Sequence, residues 1–133
     1  MNITLRSGER LYLNGAVIRV DRKTTIELMN DAAFLLESHV MQAAEATTPL
    51  RQIYFAAQIA LMDPNSASTV APLIETLIEQ TERVVSSAAL LGCLEAVRAL
   101  IARGRHFEAL KTLRANYPAE HVEMTPVAKR DAA

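Results

Sequence analysis

The feature that most constrains this chain is a change in its hydrophobic period near residue 46. Before that point apolar residues recur at every second position: Ile3 and Leu5, then Leu11 and Leu13, then Ala16, Ile18 and Val20. Thr24, Ile26 and Leu28 continue the pattern, with Lys23, Thr25 and Glu27 on the opposite side. A period of two places alternate side chains on opposite faces of a strand and marks a sheet with one buried face. After that point Leu50, Ile53, Tyr54, Ala57 and Leu61 follow at helical spacing. Strands first and helices after is an α+β order. The expected architecture is an N-terminal antiparallel β-hairpin or small sheet over 1–46, then an antiparallel helical bundle over 47–118, in one domain.

Within the first part, Asn14-Gly15 is the strongest local signal. An Asn-Gly pair flanked by alternating apolar residues specifies a two-residue hairpin turn. Across a hairpin spanning 9–20, Leu13 then faces Ala16, Tyr12 faces Val17, Leu11 faces Ile18 and Arg10 faces Arg19. Leu11, Leu13, Ala16, Ile18 and Val20 share the core face, and Arg10, Tyr12, Val17 and Arg19 share the other. Ser7-Gly8 reads as the preceding turn. The stretch NDAAFLLESHVMQAAEA, which begins at Asn30, admits either a strand around Phe34 to Ser38 or a helix capped by Asn30-Asp31. A strand passing into a short helix or loop is the preferred reading.

The helical part is punctuated by its own residues. Thr47 or Thr48 caps the first helix, and Pro49 suits its first position. Asp63-Pro64 ends it, because the residue before proline avoids the helical region. A second helix starts between Ser66 and Thr69 and carries Val70, Leu73, Ile74, Leu77, Ile78, Thr81, Val84, Val85 and Ala88; Pro72 fits only if it falls in the first turn. A third, from about Ser87 to Arg103, either follows separately or continues the second. It carries Leu90, Cys93, Leu94, Val97, Leu100 and Ile101 and is closed by Gly104. A last short helix holds Phe107, Leu110 and Leu113 and stops before Pro118. Residues 119–133 show no periodicity and read as a flexible tail.

Bulk numbers remove several function classes. Fourteen Lys and Arg residues stand against fifteen Asp and Glu, a formal net charge of −1 over 133 residues. That excludes a globally basic nucleic-acid binder and leaves only local charge for such work. The single cysteine, Cys93, permits no intrachain disulfide and lies on an apolar stripe, where an inert buried thiol is expected. No early run resembles a signal peptide and none is long enough to span a membrane, so the chain reads as soluble and cytoplasmic. His39, His106 and His121 lack metal-ligand spacing, and four scattered glycines build no phosphate loop. No catalytic residue, metal site or cofactor is expected, and the chain does not read as an enzyme.

Local charge is uneven. From Arg6 to Lys23 five basic residues (Arg6, Arg10, Arg19, Arg22 and Lys23) stand against Glu9 and Asp21, a local +3. An aromatic ring set among guanidinium groups on an exposed sheet suits single-stranded nucleic acid, with a base stacked on Tyr12 and phosphates met by the cations. The plainer alternative is a Tyr12–Val17 cross-strand pair, with solvated arginines that discourage edge pairing. A second basic cluster, Arg98, Arg103, Arg105, Lys111 and Arg114, spans the last two helices. There Arg103 complements a helix C-terminus and Glu108 is placed to pair with Lys111.

The blocks SGERLYLNGAVIRVDRK, FLLESHVM, ATTPLRQIYF and LMDP, followed later by GRHFEALKTLRANYP, resemble in order the alphaproteobacterial flagellum biosynthesis repressor family FlbT. The likeness spans nearly the whole chain, with Ser66 to Leu90 the least distinctive part. It implies a post-transcriptional regulator that acts on the 5′ untranslated region of flagellin mRNA, lowering its translation or lifetime; in some species the family acts positively. It supplies no catalytic residues. The hairpin also resembles, at the level of one motif, the opening hairpin of the carbon storage regulator family, small β-rich dimers that bind mRNA leaders. Two functions are therefore carried forward. One is an RNA-binding regulator using Arg6, Arg10, Tyr12, Arg19, Arg22 and Lys23. The other is a protein-interaction module whose helical half holds an amphipathic helix of flagellin or of a flagellar assembly factor. Pairing with a second copy through the strand module would give a homodimer.

Overall fold

A computed structural model describes residues 1–125. Strands β1 (Asn2–Leu5), β2 (Arg10–Leu13), β3 (Ala16–Arg19), β4 (Thr24–Glu27) and β5 (Phe34–Leu36) precede helices α1 (Pro49–Met62), α2 (Ala67–Glu82), α3 (Ala88–Ala102), α4 (His106–Ala115) and α5 (Tyr117–Met124). The α+β order expected from the sequence is what the chain adopts.

The Asn-Gly turn sets the hairpin as its chemistry requires. Asn14 and Gly15 have φ of +50° and +88°, both positive, which lets the turn follow the right-handed twist of the two strands. The register is Arg10 opposite Arg19, Leu11 opposite Ile18, Tyr12 opposite Val17 and Leu13 opposite Ala16, as read from the sequence. Residues 31–46 resolve into β5 and two short 3-10 turns, at Glu37–His39 and Ala43–Glu45.

The strands form two small antiparallel sheets, β1-β4 and β3-β2-β5. They face each other across Ile3, Leu5, Leu11 and Phe34, with Leu13, Ile18, Ile26 and Leu36 around them. The three-stranded sheet is therefore covered on both sides. Leu35, which does not share a face with Phe34 and Leu36, is buried in the helical core, and Tyr12, its neighbour across the ladder, packs there too. The expectation of one buried and one open face fails at β2 and β5. On the edge strand β3 only the open face is as expected: Val17 is 63% exposed. Of the expected core residues there, Ile18 is only half-buried and Ala16 is exposed, because among the described residues no further strand covers that edge. Phe107 of α4 joins the two cores, its ring centroid 4.5 Å from that of Phe34.

Helix α1 lies at the centre of the helical part, against α2 and α4, so it is buried on most of its circumference. Its N-terminal donors are fully accounted for. Pro49 has no N–H, Leu50 N–H donates to the Glu120 carboxylate at 2.7 Å, Arg51 N–H donates to Thr48 Oγ1 at 3.3 Å, and Gln52 N–H donates to Thr48 C=O at 2.9 Å. Two polar side chains of α1 dock the 37–46 linker. Tyr54 donates its hydroxyl to the His39 carbonyl at 2.5 Å, and the Gln58 amide brackets the Met41 backbone, accepting from its N–H and donating to its C=O.

Two expectations are corrected, on Pro72 and on the C-terminal segment, and one open alternative is decided. Pro72 is the sixth residue of α2, beyond the first turn; both it and Ser68, whose carbonyl loses its partner, are exposed to solvent. Helices α2 and α3 are separate, because Ser87 starts α3 by accepting from Leu90 N–H. The segment expected to be a flexible tail from 119 begins as helix: Pro118 stands in the first turn of α5, where proline is favoured, and Glu120 is 1% exposed. Residues 126–133 of that segment lie outside the described residues. Among the described residues no helix is long and apolar enough to cross a membrane.

Candidate nucleic-acid interface

The hairpin and its flanking turns gather basic side chains at one end of the β module. Gly8, at φ +79°, turns the chain so that its N–H donates to Val20 C=O at 2.8 Å while Ser7 Oγ donates to Asp21 C=O at 3.0 Å. These bonds hold the 6–9 turn against the 20–21 segment. They bring the segments carrying Arg6 and Arg22 to the end of the hairpin where Arg10 opposes Arg19, and Lys23 immediately precedes β4. All five are exposed. Like charges opposed across a ladder cost a few tenths of a kcal/mol, about 0.2–1, so stability alone does not favour the Arg10–Arg19 pair.

Carboxylates near these cations are engaged with backbone more than with charge. Glu9 accepts from Arg6 N–H at 2.9 Å, and Glu37 reaches Arg10 N–H at 3.5 Å. Asp21 pairs with Arg22 at 3.6 Å, with both side chains more than four-fifths exposed, a weak interaction in water. Among the described residues Arg6, Arg10, Arg19 and Lys23 make no ion pair. Five cations thus face three carboxylates, and the end of the module stays positive. Tyr12 departs from the expected arrangement. It shares a face with Arg10, but its ring is half-buried against the helices, so it serves packing rather than standing as an open stacking platform.

The second basic cluster does not assemble into a patch. Arg98 bridges α3 to α2, donating to Glu75 at 2.9 Å and to Glu82; these bonds push its guanidinium further up and hold the Glu82 carboxyl below its usual range. Arg105 pairs with Glu108 and, at 3.7 Å, with Asp31. Glu108 was expected to pair with Lys111; instead Lys111 lies 5.6 Å over the Phe107 ring. Arg114 donates to the Tyr54 hydroxyl at 2.9 Å. Only Arg103 of the five stands exposed without such a partner among the described residues.

A family model described as Flagellar protein FlbT matches residues 1–124. The chain belongs to the FlbT family. Its relatives include proteins named probable flagellum biosynthesis repressor protein FlbT from Brucella abortus (strain S19), Brucella ovis and Brucella anthropi. Each is 47% identical over 120 residues, covering 90% of this chain and 79% of the relative. No solved structure matches it. The FlbT match ends at Met124, the last residue of α5, so it takes in the helix that sequence reasoning missed.

Two features of this FlbT chain escaped the sequence reading. One is Glu120, whose carboxylate accepts from Leu50 N–H and from Thr48 Oγ1 at 2.6 Å, with Arg51 Nη1 at 3.9 Å. The signal for it was Pro118, which starts helices as readily as it ends them. The other is a cleft of about 300 Å³ bordered by β1, β5 and α4, among whose lining residues are His39, Lys111 and Arg114; it joins residues more than 70 positions apart, which no local pattern reveals. Among the described residues no group of three His, Cys, Asp or Glu side chains is placed to hold a metal. Cys93 is buried, and burial, with Glu120 nearby, pushes its thiol up to about 11, a poor nucleophile at neutral pH.

Proposed function

We propose that this FlbT-family protein represses flagellum biosynthesis after transcription, by binding the 5′ untranslated leader of flagellin mRNA through the basic end of its β module. The repressor role rests on the family and on the names its relatives carry. The RNA reading rests on one observation: Arg6, Arg10, Arg19, Arg22 and Lys23 are exposed together at one end of a chain whose net charge is −1. In this reading the guanidinium groups and the Lys23 ammonium meet phosphates. Tyr12 supports the hairpin from beneath and contributes only its solvent-facing edge. Binding then blocks ribosome entry or opens the message to nucleases of the host, and no chemistry of the protein's own is needed.

The test is charge reversal. Arg10→Glu with Arg19→Glu changes two exposed side chains and leaves both hydrophobic cores intact. Gel-shift titration of a flagellin leader RNA should lose binding, with far-UV circular dichroism unchanged. On single strands log K falls by about 0.7 per phosphate contact for each unit of log salt, so replacing only Arg10 and Arg19 by glutamine should flatten the slope by about 1.4. Leader affinity and salt slope equal to those of the parent chain would refute the reading.

A further inference from the structure

We propose that the cleft between β1 and α4 takes an extended peptide with a free C-terminal carboxylate, added as a strand along the outer edge of β1. This goes beyond the RNA reading, uses none of its five basic residues, and stands or falls separately.

The edge comes first. Met1 and Leu28 form a hydrogen-bonded pair, with Leu28 N–H donating to Met1 C=O at 2.8 Å and the Met1 nitrogen donating back at 3.4 Å. In an antiparallel ladder such pairs alternate. Ile3 and Leu5 therefore turn their backbone groups toward β4, while Asn2 and Thr4 turn theirs outward. The close Thr4–Thr25 hydroxyl contact, 3.2 Å, fits a pair that does not exchange backbone hydrogen bonds. β1 is an edge strand, and its residues Asn2-Ile3-Thr4-Leu5 include no charge and no proline. Edges are commonly guarded by such residues, and one without them is a template for another strand.

The cleft lies along that edge. It touches Met1, Asn2, Ile3 and Thr4, four consecutive residues. Successive side chains of a strand point to opposite faces, so a groove touching all four borders the strand's edge rather than one face. From β5 it takes only Phe34 and Leu36, which share a face and with Phe107 supply an apolar wall. Its remaining lining is basic or titratable: Lys111, Arg114 and His39, with no acidic residue among the ten that line it. Lys111 is exposed, and Arg114 is half-buried with one guanidinium nitrogen on the Tyr54 hydroxyl. Main-chain donors and acceptors on β1, apolar side chains and cationic side chains lining a single cleft together match a strand whose last side chain is apolar and whose terminus is anionic. The volume is at the lower limit for ligand clefts, enough for the end of a peptide and not for a folded partner.

The probe is a synthetic pool of hexapeptides, randomised over valine, leucine, threonine, serine and aspartate, with free C-terminal carboxylates, offered to the intact ¹⁵N-labelled protein. Retained peptides should end in an apolar residue and shift the amide resonances of Asn2, Thr4 and Lys111. Capping a retained peptide as its C-terminal amide should weaken it at least tenfold, about 1.4 kcal/mol. N-methylation at the alternate residues that face β1 should abolish binding without altering the protein. Lys111→Glu should weaken binding by a similar tenfold, and Thr4→Pro, which removes an outward N–H at an edge where proline is tolerated, should abolish it. The proposal is overturned if nothing is retained above the amide pool, or if acid and amide bind equally. It is also overturned if decauridine RNA, rather than peptide, shifts the Asn2 and Thr4 amides.

Discussion

Truncating Glu120 to alanine tests how α5 is tied to the fold. The side chain is 1% exposed, and its carboxylate completes the first turn of α1 from 70 residues away. Glu120→Ala removes the acceptor of Leu50 N–H, in a place where water does not replace it; an orphaned buried donor costs about 1–3 kcal/mol. It also removes a negative charge from a helix N-terminus, about 0.3–1 kcal/mol and up to about 2 when partly buried. Relief of the carboxylate's own desolvation returns part of that. A net loss of about 3 kcal/mol follows, a fall in Tm on the order of 10 °C for a domain of this size. Glu120→Gln keeps one acceptor for Leu50 N–H and should cost about 1 kcal/mol. Thermal and urea unfolding, monitored by circular dichroism on the three proteins, read these differences. A Glu120→Ala protein within about 2 °C of the parent, or a glutamine variant as unstable as the alanine one, would refute the reasoning.

Three further outcomes are expected. Gly15→Ala should cost about 1–2 kcal/mol by denaturant unfolding, because φ is +88° and the new Cβ would sit 3.3 Å from Pro64 Cδ, too close without a shift. Burial lowers the pKa of His106, with the Gly104 carbonyl opposing weakly. The unfolded chain therefore binds the proton first, so His106 lowers stability as pH falls through and below its ordinary value near 6.5. The slope of stability against pH between 7 and about 5.5 should be shallower in His106→Gln. Cys93 should react with an alkylating reagent at neutral pH only at the rate of unfolding, and reaction as fast as that of a free thiol would show that its shell is open.

What could be read from the sequence was what short-range chemistry decides. Asn14-Gly15 admits one turn and hence one register, and Thr48-Pro49, Asp63-Pro64 and Gly104 mark helix ends through bonds to residues a few positions away. What escaped depends on distant parts of the chain. Phe34-Leu35-Leu36 is an unbroken apolar run because β5 is buried from both sides, and periodicity cannot distinguish such a strand from a buried helix. Tyr12 looked solvent-facing because its hairpin was read without the helices that cover it. The stripe through Val84, Val85 and Ala88 continued across a break that Ser87 imposes by capping. Glu120 sat in a stretch without amphipathic period, since its partners are Thr48 and Leu50. The exposure of Arg6, Arg10, Arg19, Arg22 and Lys23 was legible because they lie in the hairpin and the turns that flank it, close in sequence. The second cluster dissolved because Glu75, Glu82, Glu108 and Tyr54 claim its members.

The most direct measurement is ultraviolet crosslinking of the intact protein to a flagellin mRNA leader, with the crosslinked peptides identified by mass spectrometry. Adducts are expected within residues 6–10 and 19–23. Adducts confined to the helical part, or a leader that crosslinks no better than an unrelated RNA of equal length, would contradict the account.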